Sequence, residues 1–187
     1  MSNIFITSDT HFCHDKPFIY KVRGYDSVEE MNEAIIEHWN KKVKPNDIVY
    51  HLGDVMLNDT AKGIQCLRRL NGKIYILTGN HDTATKIQQY VNINPNILHL
   101  GYVTMIHYNK CSFYLSHYPT LTSNLDIEKP LNRRVINLCG HSHTMDKFSD
   151  WDKGLIYHCE QDAHFCEPVS MEEIYNDIVK KLEEEKR

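Results

Sequence analysis

The chain has 187 residues, of which 41% are hydrophobic and 25% are charged. This length and balance are typical of one folded domain with its own core, and they exclude disordered and collagen-like chains. The net charge of -4 provides no general basic surface, which disfavours extended nucleic-acid binding. We therefore expect a single domain over residues 1–187.

The sequence carries no signal for secretion or membrane insertion. The first residues lack a basic segment followed by a long apolar run, and no stretch approaches the roughly 18 apolar residues of a spanning helix. Six cysteines are scattered without a Cys-x-x-Cys pair, so neither a disulfide framework nor a zinc knuckle is indicated. These features predict a cytoplasmic protein with reduced thiols and no membrane association.

The first third of the chain predicts alternating strands and helices. A short apolar run at residues 4–7 predicts a strand. Ser27-Val28-Glu29-Glu30 is a capping box, and the helical spacing that follows predicts a helix to about residue 43. A second apolar run at residues 48–52 predicts another strand. Both runs are almost wholly apolar, which is typical of strands buried on two faces.

The alternation continues along the chain. Helices are predicted at residues 60–70 and 83–91, with a strand at residues 74–77 between them. Residues 97–115 are predicted to form a hairpin whose turn is Tyr108-Asn109-Lys110, and its second strand includes residues 113–115.

The last predicted strand and helix complete an α/β layered fold. The strand is expected at residues 135–139, and the capping box Ser170-Met171-Glu172-Glu173 predicts a final helix. That helix is expected to end in a frayed charged tail at residues 183–187. Alternating strands and helices together with one hairpin favour this fold class.

Polar residues that can bind metal follow five of the predicted strands, those at residues 4–7, 48–52, 74–77, 113–115 and 135–139. Since the carboxyl ends of strands in an open α/β sheet converge on one crevice, distant positions are expected to become neighbours. Carboxylate and imidazole together suit Mn, Fe, Zn or similar ions, whereas oxygen alone would indicate Mg or Ca. The residues concerned are Asp9, His11, Asp54, Asn80, His117, His141 and His143.

The ordered motifs resemble the calcineurin-like metallophosphoesterase superfamily, in its small bacterial and phage form. They are Asp9-x-His11, Gly53-Asp54, Gly79-Asn80-His81-Asp82, Ser116-His117 and Gly140-His141-x-His143. Each motif alone is weak, but together and in this order they form a strong signal. The resemblance implies a four-layer α/β/β/α sandwich with a dinuclear metal site at the strand ends.

The resemblance also implies a role for each motif residue. Two divalent ions are expected, from Mn, Fe, Zn or Ni, with Mn favoured. Asp9, His11 and His143 would hold the first ion, Asn80, His117 and His141 the second, and Asp54 would bridge them. A hydroxide between the ions would attack the phosphorus, while His81 would stabilise the transition state and protonate the leaving oxygen.

One position departs from the family pattern. Many relatives orient the catalytic histidine with an Asp three residues after the Gly-Asp carboxylate, and here that position is Leu57. Asp82 and Asp59 are alternative orienting groups for His81.

Other residues near the motifs are weaker candidates for binding substrate. His14 and Arg23 belong to the first loop, as does Lys16, and Arg133 with Arg134 precedes the last motif strand. The two adjacent arginines are suited to a bidentate phosphate clamp, although a solvated pair is the simpler interpretation. The remaining histidines are interpreted as core or surface residues: His38, His51, His99, His107, His158 and His164.

The predicted function is hydrolysis of a phosphate ester, with a phosphodiester of nucleotide type favoured because short motif loops leave an open cleft. The expected partner is thus a phosphorylated small molecule or nucleotide. Two alternatives stay open: a phosphomonoesterase or pyrophosphatase acting on a small metabolite, and a non-catalytic protein-binding scaffold with the same fold.

Overall fold

The computed structural model describes residues 2–93, 95–122, 130–149 and 155–184. Two five-stranded sheets form its centre, in the strand orders β10-β1-β2-β3-β4 and β5-β6-β7-β9-β8. The strands of the first sheet are β1 Ile4–Thr7, β2 Ile48–His51, β3 Lys73–Leu77, β4 Ile97–Gly101 and β10 Val169–Ser170. Those of the second are β5 Val103–Tyr108, β6 Cys111–Ser116, β7 Val135–Cys139, β8 Phe148–Ser149 and β9 Ile156–His158.

The helices lie along both sheets. They are α1 Pro17–Tyr20, α2 Val28–Lys42, α3 Thr60–Arg68, α4 Ala84–Val91 and α5 Met171–Glu184. Short 3-10 helices cover Leu131–Arg133 and Gln161–His164. None of the described helices combines the length and the apolar character needed to cross a membrane.

The predicted capping boxes begin helices. Ser27 Oγ accepts the Glu30 N–H at the start of α2, and Ser170 Oγ accepts the Glu173 N–H at the start of α5. Glu173 also accepts the Ser170 N–H, which completes the reciprocal pair at that end. The charged tail expected at residues 183–187 lies mostly outside the described residues.

Two groups of buried apolar residues pack the sheets and helices against one another. The first joins sheet residues such as Val49 and Ile74 to Ile35 and Trp39 of α2, so helices cover one face of the first sheet. The second joins the opposite face of that sheet to the second sheet and to Ile174 of α5. The α/β fold with two stacked sheets and flanking helices, predicted from the motifs, is confirmed. The single domain over residues 1–187 stays a prediction.

The predicted hairpin over residues 97–115 is wrong in its first half. β4 pairs with β3 in parallel and therefore belongs to the first sheet, and only β5 and β6 form a hairpin. Gly101, with φ of 90°, is the last residue of β4, just before the chain passes to β5 in the other sheet. The turn itself is as predicted, with Asn109 and Lys110 both at positive φ.

The topology brings six strand ends to one edge of the molecule. β1, β2 and β3 run parallel in the first sheet, and β6, β7 and β9 run parallel in the second. A single bridge between Ser8 and Glu160 links the two groups just beyond β1 and β9. The loops that carry the motifs therefore face one another.

Candidate metal centre

The structure brings all seven predicted ligand residues into one site. Asp9, His11 and His143 form what we call the first cluster. Its closest approach joins His11 Nε2 to His143 Nε2 at 3.1 Å, and Asp9 Oδ1 lies 3.5 Å from His11 Nε2 and 3.8 Å from His143 Nε2. Ligand atoms of these three residues all lie within 4.8 Å of one another, which is close enough to share an ion.

Asn80, His117 and His141 form the second cluster. Asn80 Oδ1 lies 2.8 Å from His117 Nε2 and 2.9 Å from His141 Nδ1. Asp54 lies between the clusters, because its Oδ2 is 3.5 Å from His117 Nε2 and 3.8 Å from His11 Nε2. This placement matches the bridging position that the resemblance implies for Asp54.

The hydrogen-bond partners of two imidazoles indicate that the site fits cations. His143 Nδ1 is 2.9 Å from the Asp162 carboxylate, and His117 Nδ1 is 3.0 Å from the Leu52 carbonyl. Since both partners are acceptors, each Nδ1 donates, which leaves Nε2 as the ring nitrogen of each that is available to bind a metal. Each Nε2 then faces carboxylate oxygen, with Asp9 Oδ1 buried and without a hydrogen-bond partner among the described residues. Converging acceptors of this kind are stabilised by a positive ion.

The backbone at the site is held in an uncommon conformation. Asp9, His11, Asp54, His141 and His143 all have φ between 48° and 73°. Residues other than glycine rarely adopt this left-handed region, and such strain concentrates at functional sites. The alternate residues of the Asp9-x-His11 and His141-x-His143 motifs therefore reach the crevice from backbone in the left-handed region.

Two of the motif glycines allow the loops to pack against one another. A Cβ at Gly79 would collide with Oδ1 of Asp54, and a Cβ at Gly140 would collide with Oδ2 of Asp9. Only Gly53 among the three motif glycines has a positive φ, at 104°. Close approach of the loops therefore explains the glycines at 79 and 140.

Asp82 joins two motif loops through hydrogen bonds to their backbone. Its Oδ2 accepts the N–H of Asp54 at 2.6 Å and of Gly79 at 3.0 Å, and its Oδ1 accepts the Tyr90 hydroxyl at 3.0 Å. Asp82 is buried and fully engaged by these donors, so it positions the backbone that carries Asp54 and Asn80. This is a different role from the orienting of His81 suggested by sequence.

Asp162 was missed by the sequence reasoning. Its carboxylate accepts His143 Nδ1–H and also pairs with the buried Arg23 guanidinium at 2.8 Å. Burial acts to raise the pKa of Asp162, but the hydrogen bonds from His143 and Arg23 outweigh it and hold the pKa well below its usual range. Asp162 follows β9, whose apolar run at residues 155–159 is the signal that could have identified it.

Burial shifts the pKa values of two residues of the site, His11 and Asp54. Burial lowers the pKa of His11 to about 4, so its imidazole is neutral at pH 7 and can act as a ligand. Burial also raises the pKa of Asp54, although the hydrogen bond from the His81 N–H opposes this. A bound cation would favour the charged form of that carboxylate.

His81 lies beside the site with its ring free to meet substrate. Its side chain is 44% exposed, and Nε2 is 4.0 Å from Asp54 Oδ2. Within the described part of the chain, no side chain hydrogen-bonds to its ring. Asp59, the other proposed orienting group, accepts the Lys62 N–H as the N-cap of α3. Neither Asp59 nor Asp82 contacts the imidazole.

The four predicted substrate contacts lie in very different places. His14 is adjacent to the first cluster, with its ring centroid 5.2 Å from that of His11. Arg23 is buried beneath the site, where it donates to Asp162 and to the backbone carbonyls of Asp9 and Thr10. This favours a structural role for Arg23. Lys16 is exposed in the same loop.

Arg133 and Arg134 lie at the wrong end of β7 for a phosphate clamp. They precede Val135 at the start of that strand, whereas His141 follows its end. Five strand residues at about 3.3 Å each separate the two positions. Arg134 is also buried, while Arg133 is exposed.

Most of the remaining histidines are placed as interpreted from sequence. His158 and His164 are buried, whereas His99 and His107 are exposed. His51 is fully buried and supports the site from below, because it hydrogen-bonds the Thr10 hydroxyl at 2.9 Å and accepts the Gly53 N–H.

The calcineurin-like phosphoesterase superfamily domain matches residues 2–159 of the chain. The chain belongs to this superfamily. The matched segment includes both clusters, Asp54 and His81, and it ends just before Asp162.

Two curated relatives are similar over part of the chain. An uncharacterized protein of Methanocaldococcus jannaschii, MJ1445, is 39% identical over 116 residues, which cover 61% of this chain and 62% of that protein. The gene 66 protein of Mycobacterium phage L5 is 33% identical over 86 residues, or 44% of this chain and 41% of that protein. The chain thus matches less than two thirds of either relative's length.

Two solved structures share the fold. The protein of unknown function AQ665 from Aquifex aeolicus superposes with a TM-score of 0.64 at 20% identity, covering 94% of this chain and 99% of that one. An archaeal phosphodiesterase superposes with a TM-score of 0.51 at 21% identity, covering 87% of this chain and 86% of that one. At these identities the likeness concerns the fold.

Proposed function

We propose that this protein is a phosphoesterase that depends on two divalent metal ions and acts on a phosphodiester of nucleotide type in the cytoplasm. The observation that carries the proposal is the position of Asp54 between the two clusters. Its Oδ2 lies within 3.8 Å of the Nε2 atoms of His11 and His117, one residue from each cluster. Family membership supports the reaction class. All six cysteines are free thiols, which supports the compartment.

The donor set favours Mn, Fe, Zn or Ni, with Mn first. Imidazole nitrogen suits these ions, and the carboxylates of Asp9 and Asp54 with the amide oxygen of Asn80 suit Mn in particular. Once bound, such ions supply Lewis acidity and lower the pKa of water toward about 7.

The protein's own groups would then position substrate and transfer a proton. His81 is exposed at the site and would donate a proton to the leaving oxygen, while His14 lies close enough to contact a substrate oxygen. Asp162 would hold His143 in the tautomer that binds metal through Nε2. Asp82 would hold the Asp54 and Asn80 loops at their present separation.

A diester is favoured because the site is open on both sides. His81 and His141 are exposed at its surface, which leaves room for substituents on either side of the phosphorus. The archaeal phosphodiesterase with the same fold makes diesters the first substrates to test.

The experiment compares bis-p-nitrophenyl phosphate with p-nitrophenyl phosphate after reconstitution of the purified protein with Mn, Zn, Ni or Mg, with elemental analysis of each sample. We expect about two ions per chain and faster turnover of the diester. Faster turnover of the monoester would favour a phosphomonoesterase. Full metal content without turnover of any ester would favour the scaffold function and overturn the proposal.

A further inference from the structure

Exposed apolar side chains occur in the chain segments that follow β1, β6 and β7, which also carry the metal-type residues. The side chains are Phe18, Tyr118, Leu121 and Met145. One of them, Phe18, belongs to helix α1. Exposed apolar groups around a polar centre are typical of a site whose ligand has an apolar or aromatic part beside its charged group.

Tyr118 is the aromatic residue closest to the second cluster. Its ring centroid is 4.7 Å from that of His141 and 5.1 Å from that of His117, and it meets both rings at steep angles. Half of its surface remains exposed. A tyrosine ring held against two imidazoles, with the rest of its surface in solvent, has room for another flat group.

The backbone around Tyr118 is restricted, and its ring packs against His117 and His141. Pro119 follows it and restricts Tyr118 to an extended conformation. The Tyr118 carbonyl accepts hydrogen bonds from Ser116 Oγ at 2.8 Å and from Thr120 Oγ1 at 3.0 Å. Because little conformational freedom is left to lose, stacking on this ring carries a low entropic cost.

Phe18 differs from Tyr118 in what it touches. It packs at 5.6 Å against His14 and contacts no residue of either cluster among the described rings. It is also more exposed than Tyr118. Phe18 is therefore a matched control, because it is aromatic and close to the site but lies on the side of the first cluster.

We propose that Tyr118 binds substrate by stacking against a flat aromatic group, such as a nucleobase, carried by one substituent of the phosphodiester. The inference rests on the proposed function and adds to it the residue that would bind the nucleobase of a nucleotide-type phosphodiester. Every base has a flat π-face, so stacking on this ring accepts different bases.

The kinetic test keeps the leaving group constant and changes the other substituent. Thymidine 5′-(p-nitrophenyl phosphate) carries a nucleobase, and ethyl p-nitrophenyl phosphate does not. We expect Tyr118→Leu to raise KM for the thymidine ester by about tenfold with kcat unchanged, since base stacking on an aromatic side chain has this magnitude. Tyr118→Phe keeps the ring and should retain the KM of the unaltered protein. Phe18→Leu should also leave the KM for the thymidine ester unchanged.

Several outcomes would overturn the inference alone. An equal rise in KM for both esters, an equal effect of Phe18→Leu, or a loss in Tyr118→Phe as large as in Tyr118→Leu would each contradict stacking at Tyr118. Calorimetry that compares the affinity for thymidine monophosphate with the affinity for methyl phosphate gives a second readout that needs no turnover. If neither ester is hydrolysed with any metal, the proposed function fails, and the calorimetry still decides whether Tyr118 contributes to binding the base.

Discussion

The two clusters of the proposed metal centre are built differently. In the first cluster Asp9 and His11 are buried, and His143 is backed by the Asp162–Arg23 ion pair. In the second cluster His117 alone is buried, while Asn80 and His141 are exposed, and none of the three is a carboxylate. The first cluster thus combines a carboxylate of its own with a charged supporting layer, whereas the second depends on Asp54 for all its negative charge.

This difference predicts that the two ions leave in order. A carboxylate ligand and an oriented imidazole both strengthen metal binding, and solvent reaches the second cluster more readily. We therefore expect a chelator to remove the second ion first and the first ion at higher concentration. Of the variants below, those at Asp54 and Asp162 test whether the two clusters are independent.

Asp54→Asn should have the largest effect because Asp54 serves both clusters. Loss of its charge is expected to lower the content of both metals and reduce turnover to background, measured by elemental analysis and by release of p-nitrophenolate. The amide keeps the shape of the side chain, so the circular dichroism spectrum should be unchanged. Asp59→Asn, at the N-cap of α3, is the matched control and should retain full activity. Retention of both metals in Asp54→Asn would contradict a bridging role.

His81→Ala should have the next largest effect, through chemistry and not through metal binding. His81 belongs to neither cluster, and general-acid assistance typically contributes about a hundredfold to ten-thousandfold in rate. We expect kcat to fall within that range while the metal content stays at the level of the unaltered protein. A parallel loss of metal in this variant would show that His81 is part of a cluster.

Asp162→Asn should act on the first cluster alone. An outer partner of a metal-binding histidine typically contributes about tenfold to a hundredfold in metal affinity. Asp162 also neutralises the buried Arg23, so thermal unfolding is measured beside metal titration to separate lost stability from lost affinity. We expect weaker binding of one ion only, with activity recovered at high metal concentration. An equal loss of affinity for both ions would show that Asp162 does not act on the first cluster alone.

The smallest effect concerns a region outside both clusters. His164 is buried beside Tyr157, and burial lowers its pKa to about 4. In the unfolded chain its pKa is about 6.5, so the unfolded state binds the extra proton as the pH falls from 6.5 to 4. The contribution of His164 to the free energy of unfolding is therefore fully present above pH 6.5. Below that pH it decreases, by up to about 3 kcal/mol. His164→Gln should flatten the pH dependence of Tm in this window, and an unchanged slope would contradict the assignment.

Local sequence was enough to predict the elements that have strong periodicity. β1 and β7 occupy the predicted residues, and the capping box at Ser27 begins α2 as expected. β4 was assigned to the wrong partner because an apolar run specifies a strand but not which neighbour it pairs with. β8 and β10 contain two residues each, too few for a periodic pattern to appear.

The sequence by itself determined the residue types of the site and their positions just beyond strand ends, because those features depend on a few neighbouring residues. Only the tertiary structure decided that Arg23 supports the site from below, since its partner Asp162 is 139 residues away along the chain. It also decided that Asp82 holds the Asp54 loop, and that glycine at 79 and 140 is required by contact with carboxylates. Sheet register sets these distances, and register arises from the packing of the whole chain.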